Sequence, residues 1–212
     1  MTFYQFARAV VLSVFKVVFR VRVVGKERVP STGAYILAPS HRSILDVPFA
    51  AYVTRRTVRF LAKDDLFGTP LGRRLFDALG AVEVERGTAD RGAMRALERV
   101  LERGEPVAIF PEGTRRSGPH IAELFAGAAY LSVKFGVPIV PVGVGGSEHI
   151  LPKGKVLPRV HRVAVSVGRP LHPPALEGRA RRSAAKLLTQ QLQVSLQACF
   201  DDAERLAREV AR

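Results

Sequence analysis

Residues 35–53 read Tyr-Ile-Leu-Ala-Pro-Ser-His-Arg-Ser-Ile-Leu-Asp-Val-Pro-Phe-Ala-Ala-Tyr-Val. The run 35–38 is apolar and suits a buried strand, Pro39 and Ser40 break it, and 44–53 reads as a helix. Strand, turn and helix in one stretch form the repeating unit of an α/β sheet. The turn carries His41, and Asp46 follows five positions later. That spacing is about 500° of helix, so the two do not share a helical face. They meet only if His41 sits in the turn and Asp46 in the first turns of the helix. Imidazole titrates near pH ~6.5 and accepts a proton close to neutrality. A carboxylate on its other nitrogen fixes the tautomer and stabilises the imidazolium. A general base with its orienter is one reading; a histidine hydrogen-bonded at a helix start is the other. The spacing alone allows both.

Working outward, the same alternation continues. Apolar runs at 21–24, 58–62, 81–85, 106–110, 138–144 and 161–167 read as strands. Segments 69–79, 90–102 and 122–135 read as helices, bounded by Pro70, Asp90, Gly80, Gly104 and Gly136. The expected fold is α/β, with a mixed, mostly parallel central sheet flanked by helices. In such sheets, sites collect beyond the carboxyl ends of the strands. The His41 turn, Arg86 and the segment 112–115 each follow a strand.

Length sets one main domain for 212 residues. We assign 25–178 to it, preceded by an amphipathic, membrane-associating segment at 1–24. A basic, amphipathic helix at 179–212 is expected to pack on the domain, with Leu187, Leu188, Leu192 and Leu196 within or near one face. In the helix expected at 2–20, Thr2, Gln5, Ala9, Ser13, Lys16 and Arg20 form a narrow polar stripe. Phe3, Phe6, Val10, Val14, Phe15, Val17, Val18 and Phe19 fill the rest. So wide an apolar arc fits a helix lying in a membrane interface, and it also fits packing on the protein's own core. No small-residue cleavage site follows this stretch, so no signal peptide is expected. No charge-free run of about 18 apolar residues suggests a spanning helix.

Thirty-three Lys and Arg against 19 Asp and Glu give a net charge of +14. Such a surface attracts anions: nucleic acid, acidic lipid or phosphorylated substrates. Nucleic acid is disfavoured, because no zinc-finger spacing or aromatic-glycine motif is present and tryptophan is absent. The single cysteine, Cys199, excludes an intrachain disulfide and argues against a cysteine-built metal site.

Three further segments carry chemistry. Phe110-Pro111-Glu112-Gly113-Thr114-Arg115-Arg116-Ser117 delivers a carboxylate, a glycine, a hydroxyl and two guanidiniums into a loop suited to a phosphate monoester. Gly80-Ala-Val-Glu-Val-Glu-Arg86-Gly87 aims a second arginine at the same edge. Val137-Pro-Ile-Val-Pro141 brackets an apolar strand with prolines, suggesting an edge strand or a groove wall.

Together and in this order, His-x4-Asp at 41–46, Gly-x-x-x-Val-x-Arg at 80–86, Phe-Pro-Glu-Gly-Thr-Arg at 110–115 and Val-Pro-Ile-Val-Pro at 137–141 resemble the glycerolipid acyltransferase family. Its type members are 1-acyl-sn-glycerol-3-phosphate (lysophosphatidate) acyltransferases. The resemblance implies acyl transfer from acyl-CoA or acyl carrier protein to a lysophosphatidate hydroxyl, with no metal and no cofactor beyond that donor. It implies His41 as base and Asp46 as orienter. Arg86, Glu112, Gly113, Thr114 and Arg115 would shape the acceptor phosphate site, and Pro141 would border the acyl groove. It further implies a peripheral or monotopic enzyme on the cytoplasmic face of the membrane, touching anionic lipids. Glycerol 3-phosphate or another lysolipid as acceptor stays open, as does a non-enzymatic basic membrane- or nucleic-acid-binding role. Three positions depart from the family pattern: Ser40 stands where asparagine is frequent, Glu83 where an apolar residue is common, and Phe125 where many members carry lysine.

Overall fold

The computed structural model describes residues 3–63, 68–70, 73–74, 80–84, 89–150, 159–174 and 181–209. Its frame is a seven-stranded sheet: β1 (Arg22–Val24), β2 (Ile36–Pro39), β3 (Arg59–Lys63), β4 (Ala81–Val84), β5 (Val107–Ala108), β6 (Ile139–Gly145) and β7 (Ala164–Val167). The spatial order is β1-β7-β6-β2-β5-β3-β4. Every neighbouring pair is parallel except β6 and β7. This is the mixed, mostly parallel sheet expected. The motif-bearing β2 and β5 lie side by side at its centre.

Five α-helices complete the described fold: α1 (Phe3–Val18), α2 (Asp46–Ala50), α3 (Ala89–Glu102), α4 (Gly127–Phe135) and α5 (Arg181–Glu209). The period-two alternation of the central strands feeds two layers. Tyr35, just before β2, and Leu37 of β2, with Val140, Val142 and Val144 of β6, pack with Phe19 just after α1, Phe49 of α2 and Val53 just beyond it. Ile36, Ala38 and Ile139 face the other way. They meet Leu97 and Leu101 of α3, Leu131 of α4, and Leu188, Leu192, Leu196 and Phe200 of α5. The four-residue spacing on α5 keeps those side chains on one stripe. Leu187, one position off the stripe, is exposed.

Residues 15–24 pack into the domain. β1 adds to the sheet edge beside β7. Phe15 and Phe19 pack on Phe49 with ring centroids 5.6 Å apart in each case. The carbonyl of Phe19 accepts the Val163 N–H at 3.1 Å.

The contact of α5 with β6 is the closest in the molecule that glycine explains. A Cβ on Gly143 would lie 2.1 Å from the Cys199 carbonyl oxygen. One on Gly145 would lie 2.3 Å from the Ala203 carbonyl carbon. Only hydrogen at these positions lets helix backbone rest on strand backbone.

One helix start shifts. The helix expected at 122–135 begins at Gly127, because the amides ahead of it are already engaged. The Ala122 N–H goes to Glu112, the Ile121 N–H to Gln197, and the Phe125 N–H to the Pro111 carbonyl. The helix expected at 69–79 falls largely outside the described residues.

Candidate active site

The turn after β2 is held by hydrogen bonds to both neighbouring segments. The Ser40 N–H donates to the Val142 carbonyl, and its hydroxyl accepts the Val144 N–H, both at 2.9 Å. Serine at this position therefore pins the turn to β6. The His41 N–H donates to Glu112 Oε1 at 2.9 Å, and its carbonyl accepts the Arg116 N–H at 2.9 Å. The turn is thus laced between the strands that flank β2.

His41 Nδ1 lies 3.2 Å from Asp46 Oδ2. The same oxygen accepts the backbone N–H groups of Arg42 and Ser43, each at 2.6 Å. An oxygen that accepts two amide hydrogens acts as an acceptor, so in the neutral imidazole Nδ1 carries the hydrogen and Nε2 the lone pair. Asp46 is fully buried as the first residue of α2, while the His41 side chain stays 18% exposed. The ring leans on Phe110, with centroids 4.2 Å apart at 33°. Buried carboxylate, fixed tautomer and an open outer nitrogen are the parts of a general base.

Glu112, expected among the phosphate contacts, is placed differently. Its carboxylate is fully buried and turned inward. It accepts from the His41 N–H, from Ala122 N–H at 3.2 Å, and from Arg42 Nη1 at 2.9 Å. A carboxylate so engaged organises the loop, and these partners all lie inside the protein. Gly113, Thr114 and Arg115 are exposed in the loop that follows, along with Arg116. Since the Arg116 N–H binds the His41 carbonyl, this loop rims the histidine. Gly113 turns with φ of +67°, and a Cβ there would lie 2.7 Å from the Phe125 ring. Phe125 thus walls the loop where a cation was the family's expectation, and its ring is 66% exposed.

Arg86 lies outside the described residues; β4, which precedes it, ends at Val84 beside β3. Pro141 is buried in β6, its ring 2.7 Å from where a Cβ on Gly168 would stand. It lies on the α5 side of the sheet and does not border the apolar pocket next to His41. That pocket lies between α2 and strands β2, β3 and β5, lined by Leu37, Val47, Ala51, Val58, Phe60 and Phe110 among others. Phe110, which carries the His41 ring, is shared by both. Leu37, Ala108 and Phe60 are partners in register and make one layer. Val58 and Arg56 lie below that layer. The Arg56 guanidinium rests over the Tyr35 ring at 5.4 Å and donates to the Gly33 and Gly104 carbonyls.

Two residues escaped the sequence reading. Arg42 has no role in that reading beside the histidine, yet its side chain is 1% exposed and paired with Glu112. Phe200 of α5, far along the chain from the last motif at 137–141, lies under its guanidinium at 4.6 Å. No local sequence signal announces either, because a long-range contact made them functional.

Comparison with known proteins bears on this geometry. A family model described as acyltransferase matches residues 20–145. The chloroplast 1-acyl-sn-glycerol-3-phosphate acyltransferase of Arabidopsis thaliana is 27% identical over 73% of the chain and 44% of its own length. The enzyme of that name from Bacillus subtilis is 27% identical over 72% of the chain and 74% of its own length. The crystal structure of the 1-acyl-sn-glycerophosphate acyltransferase PlsC from Thermotoga maritima superposes with a TM-score of 0.67 at 25% identity. The match covers 92% of this chain and 83% of that one. The chain spans less than half the length of the plant and algal relatives it matches.

Proposed function

Because the chain belongs to the acyltransferase family, we propose that it transfers a fatty acyl group from a thioester donor, acyl-CoA or acyl carrier protein, to the free hydroxyl of lysophosphatidate. The product is phosphatidate, a phospholipid precursor. The observation that carries this reading is the His41–Asp46 pair, with the His41 ring against Phe110, a lining residue of an apolar pocket, and its carbonyl bound by an arginine-bearing loop.

In the proposed step, His41 Nε2 removes the proton of the acceptor hydroxyl as its oxygen attacks the thioester carbonyl. Asp46 stabilises the imidazolium. The tetrahedral intermediate collapses, the C–S bond breaks, and the imidazolium returns its proton to the leaving thiolate. Ester and thiol are the products, with no acyl-enzyme. Arg115, with Arg86, would hold the acceptor phosphate as planar forks. The acyl chain would lie in the pocket beneath Phe110.

Membrane attachment is supported by α1. Val10, Val14, Val17 and Val18 are exposed along it, Val17 at 78%, with Lys16 and Arg20 exposed nearby. Valine insertion would contribute up to about 1.5–3 kcal/mol per side chain, and each cation near an anionic surface about 1 kcal/mol. Among the described residues, no helix is long and apolar enough to cross a membrane.

The deciding experiment is product analysis with purified protein, a panel of acyl donors, and lysophosphatidate against glycerol 3-phosphate and other lysolipids. Phosphatidate as the main product is expected. Preferential acylation of glycerol 3-phosphate would move the enzyme to that substrate. His41→Ala should lower turnover by about 10²–10⁴-fold, and near-normal turnover by that variant would remove the mechanism.

A further inference from the structure

We propose that Arg42 is a positioning residue for His41, clamping the catalytic turn to the arginine-bearing loop and to α5 while neutralising Glu112 beneath the histidine. This rests on His41 acting as the base.

The side chain of Arg42 turns away from solvent in a protein whose surface is already rich in arginine. Nη1 donates to Glu112 Oε2 at 2.9 Å and lies 3.2 Å from Oε1. Nη2 donates to the His120 carbonyl at 2.9 Å. The guanidinium plane rests 4.6 Å from the centre of the Phe200 ring, itself 2% exposed. Its backbone N–H donates to Asp46 Oδ2. One residue therefore touches both carboxylates that touch His41: Asp46 through its backbone and Glu112 through its side chain. It is also the point where α5 reaches the site.

Charge makes this more than packing. Asp46 and Glu112 are both fully buried, one at the His41 ring and one at its amide. Arg42 cancels Glu112 locally, so Asp46 is the uncompensated anion acting on the imidazole. Among the described residues, the loop after β5 that binds the His41 carbonyl also carries Arg115, Arg116 and His120, all exposed. Phe110 and Phe200 bring no charge. With Arg42 gone, Glu112 would become a second buried anion close to the ring. A nearby anion favours the protonated imidazole, and only the neutral form is a base.

The test is the pH dependence of kcat/KM, with acyl-CoA and lysophosphatidate in mixed micelles, for Arg42→Met, Arg42→Lys and the double variant Arg42→Met with Glu112→Gln. Arg42→Met should move the acid limb to higher pH and lower kcat roughly 10–100-fold, leaving the acceptor KM close to wild type. Arg42→Lys keeps the charge, so its acid limb should stay in place while kcat falls. The double variant removes both charges and should return the limb to the wild-type position with kcat still reduced. Removing one partner of a buried pair destabilises strongly, whereas neutralising both is tolerated. If Arg42→Met does not fold, the lysine and double variants decide.

An unmoved limb in Arg42→Met, a shifted limb in Arg42→Lys, or a double variant with wild-type kcat would each overturn the proposal. So would a raised KM at unchanged kcat, which would make Arg42 a substrate contact. Activity surviving in His41→Ala would instead overturn the underlying mechanism, and the two failures are distinguishable.

Discussion

A single oxygen, Asp46 Oδ2, gathers two backbone amides and the His41 ring nitrogen. It fixes both the turn and the tautomer. Asp46→Asn keeps the size and loses the charge, and the amide group presents the wrong donor pattern to the ring. Turnover should fall about 10²–10⁴-fold, read by steady-state kinetics, with the fold retained by circular dichroism. Burial pushes the Cys199 thiol up to about 11 and the Tyr52 phenol up to about 12. Both groups hold their protons longer when folded than when unfolded. The stability they contribute is therefore full below pH 9 and declines as pH rises through these values. A thiol reagent at pH 8 should leave Cys199 unmodified in the folded protein and label it after denaturation. At this scale the sequence shows His41 and Asp46 well, since their role depends on residues close by in the chain. It shows Glu112 and Arg42 poorly. Both are polar residues in polar motifs, and only the meeting of β2, β5 and α5 turns them inward.

Among elements, α5 and β6 are the most demanding pair. Their contact leaves no room for a methyl group at Gly143, where a new Cβ would overlap helix backbone that has no side-chain freedom to yield. Gly143→Ala should destabilise by about 3 kcal/mol or more, measured by denaturant unfolding. Gly33, where nothing lies within 4 Å of the built Cβ but φ is +70°, should lose much less on the same substitution. The strands at the sheet centre were readable because each is a short apolar run between turn residues. The start of α4 was not, because Glu112, Gln197 and Pro111 take amides that a helix would otherwise use. Nor was the antiparallel entry of β7 readable, since strand direction depends on the whole connection rather than on composition. The apolar pocket likewise belongs to element packing. Ala51→Phe on its wall should shift donor preference toward shorter acyl chains, read by competition between donors of different length.

For the molecule as a whole, the N-terminal helix joins the core and, in the proposed function, also meets the membrane. Removing residues 1–20 would take Phe15 and Phe19 from the core, so that truncation confounds membrane binding with folding. The informative variant is Val10→Glu with Val14→Glu and Val17→Glu, which touches only exposed positions. Co-sedimentation with anionic vesicles should drop by at least about tenfold while thermal stability changes little. Unchanged co-sedimentation would remove the membrane role of α1. Wild-type binding should also weaken with salt, because the net charge of +14 acts through a screened field.

The pairing of β1 with β7 has a temporal consequence. Arg22 has its strand partner at Ala164, near the other end of the chain. At synthesis rates of about 5–20 residues per second, the first strand leaves the ribosome on the order of ten seconds before its neighbour exists. The helix ahead of it spends that interval with no completed sheet to dock on. If α1 binds lipid as proposed, a nascent chain can reach a lipid surface before it can finish its own core, and the order of events during translation would place it there before its site is assembled.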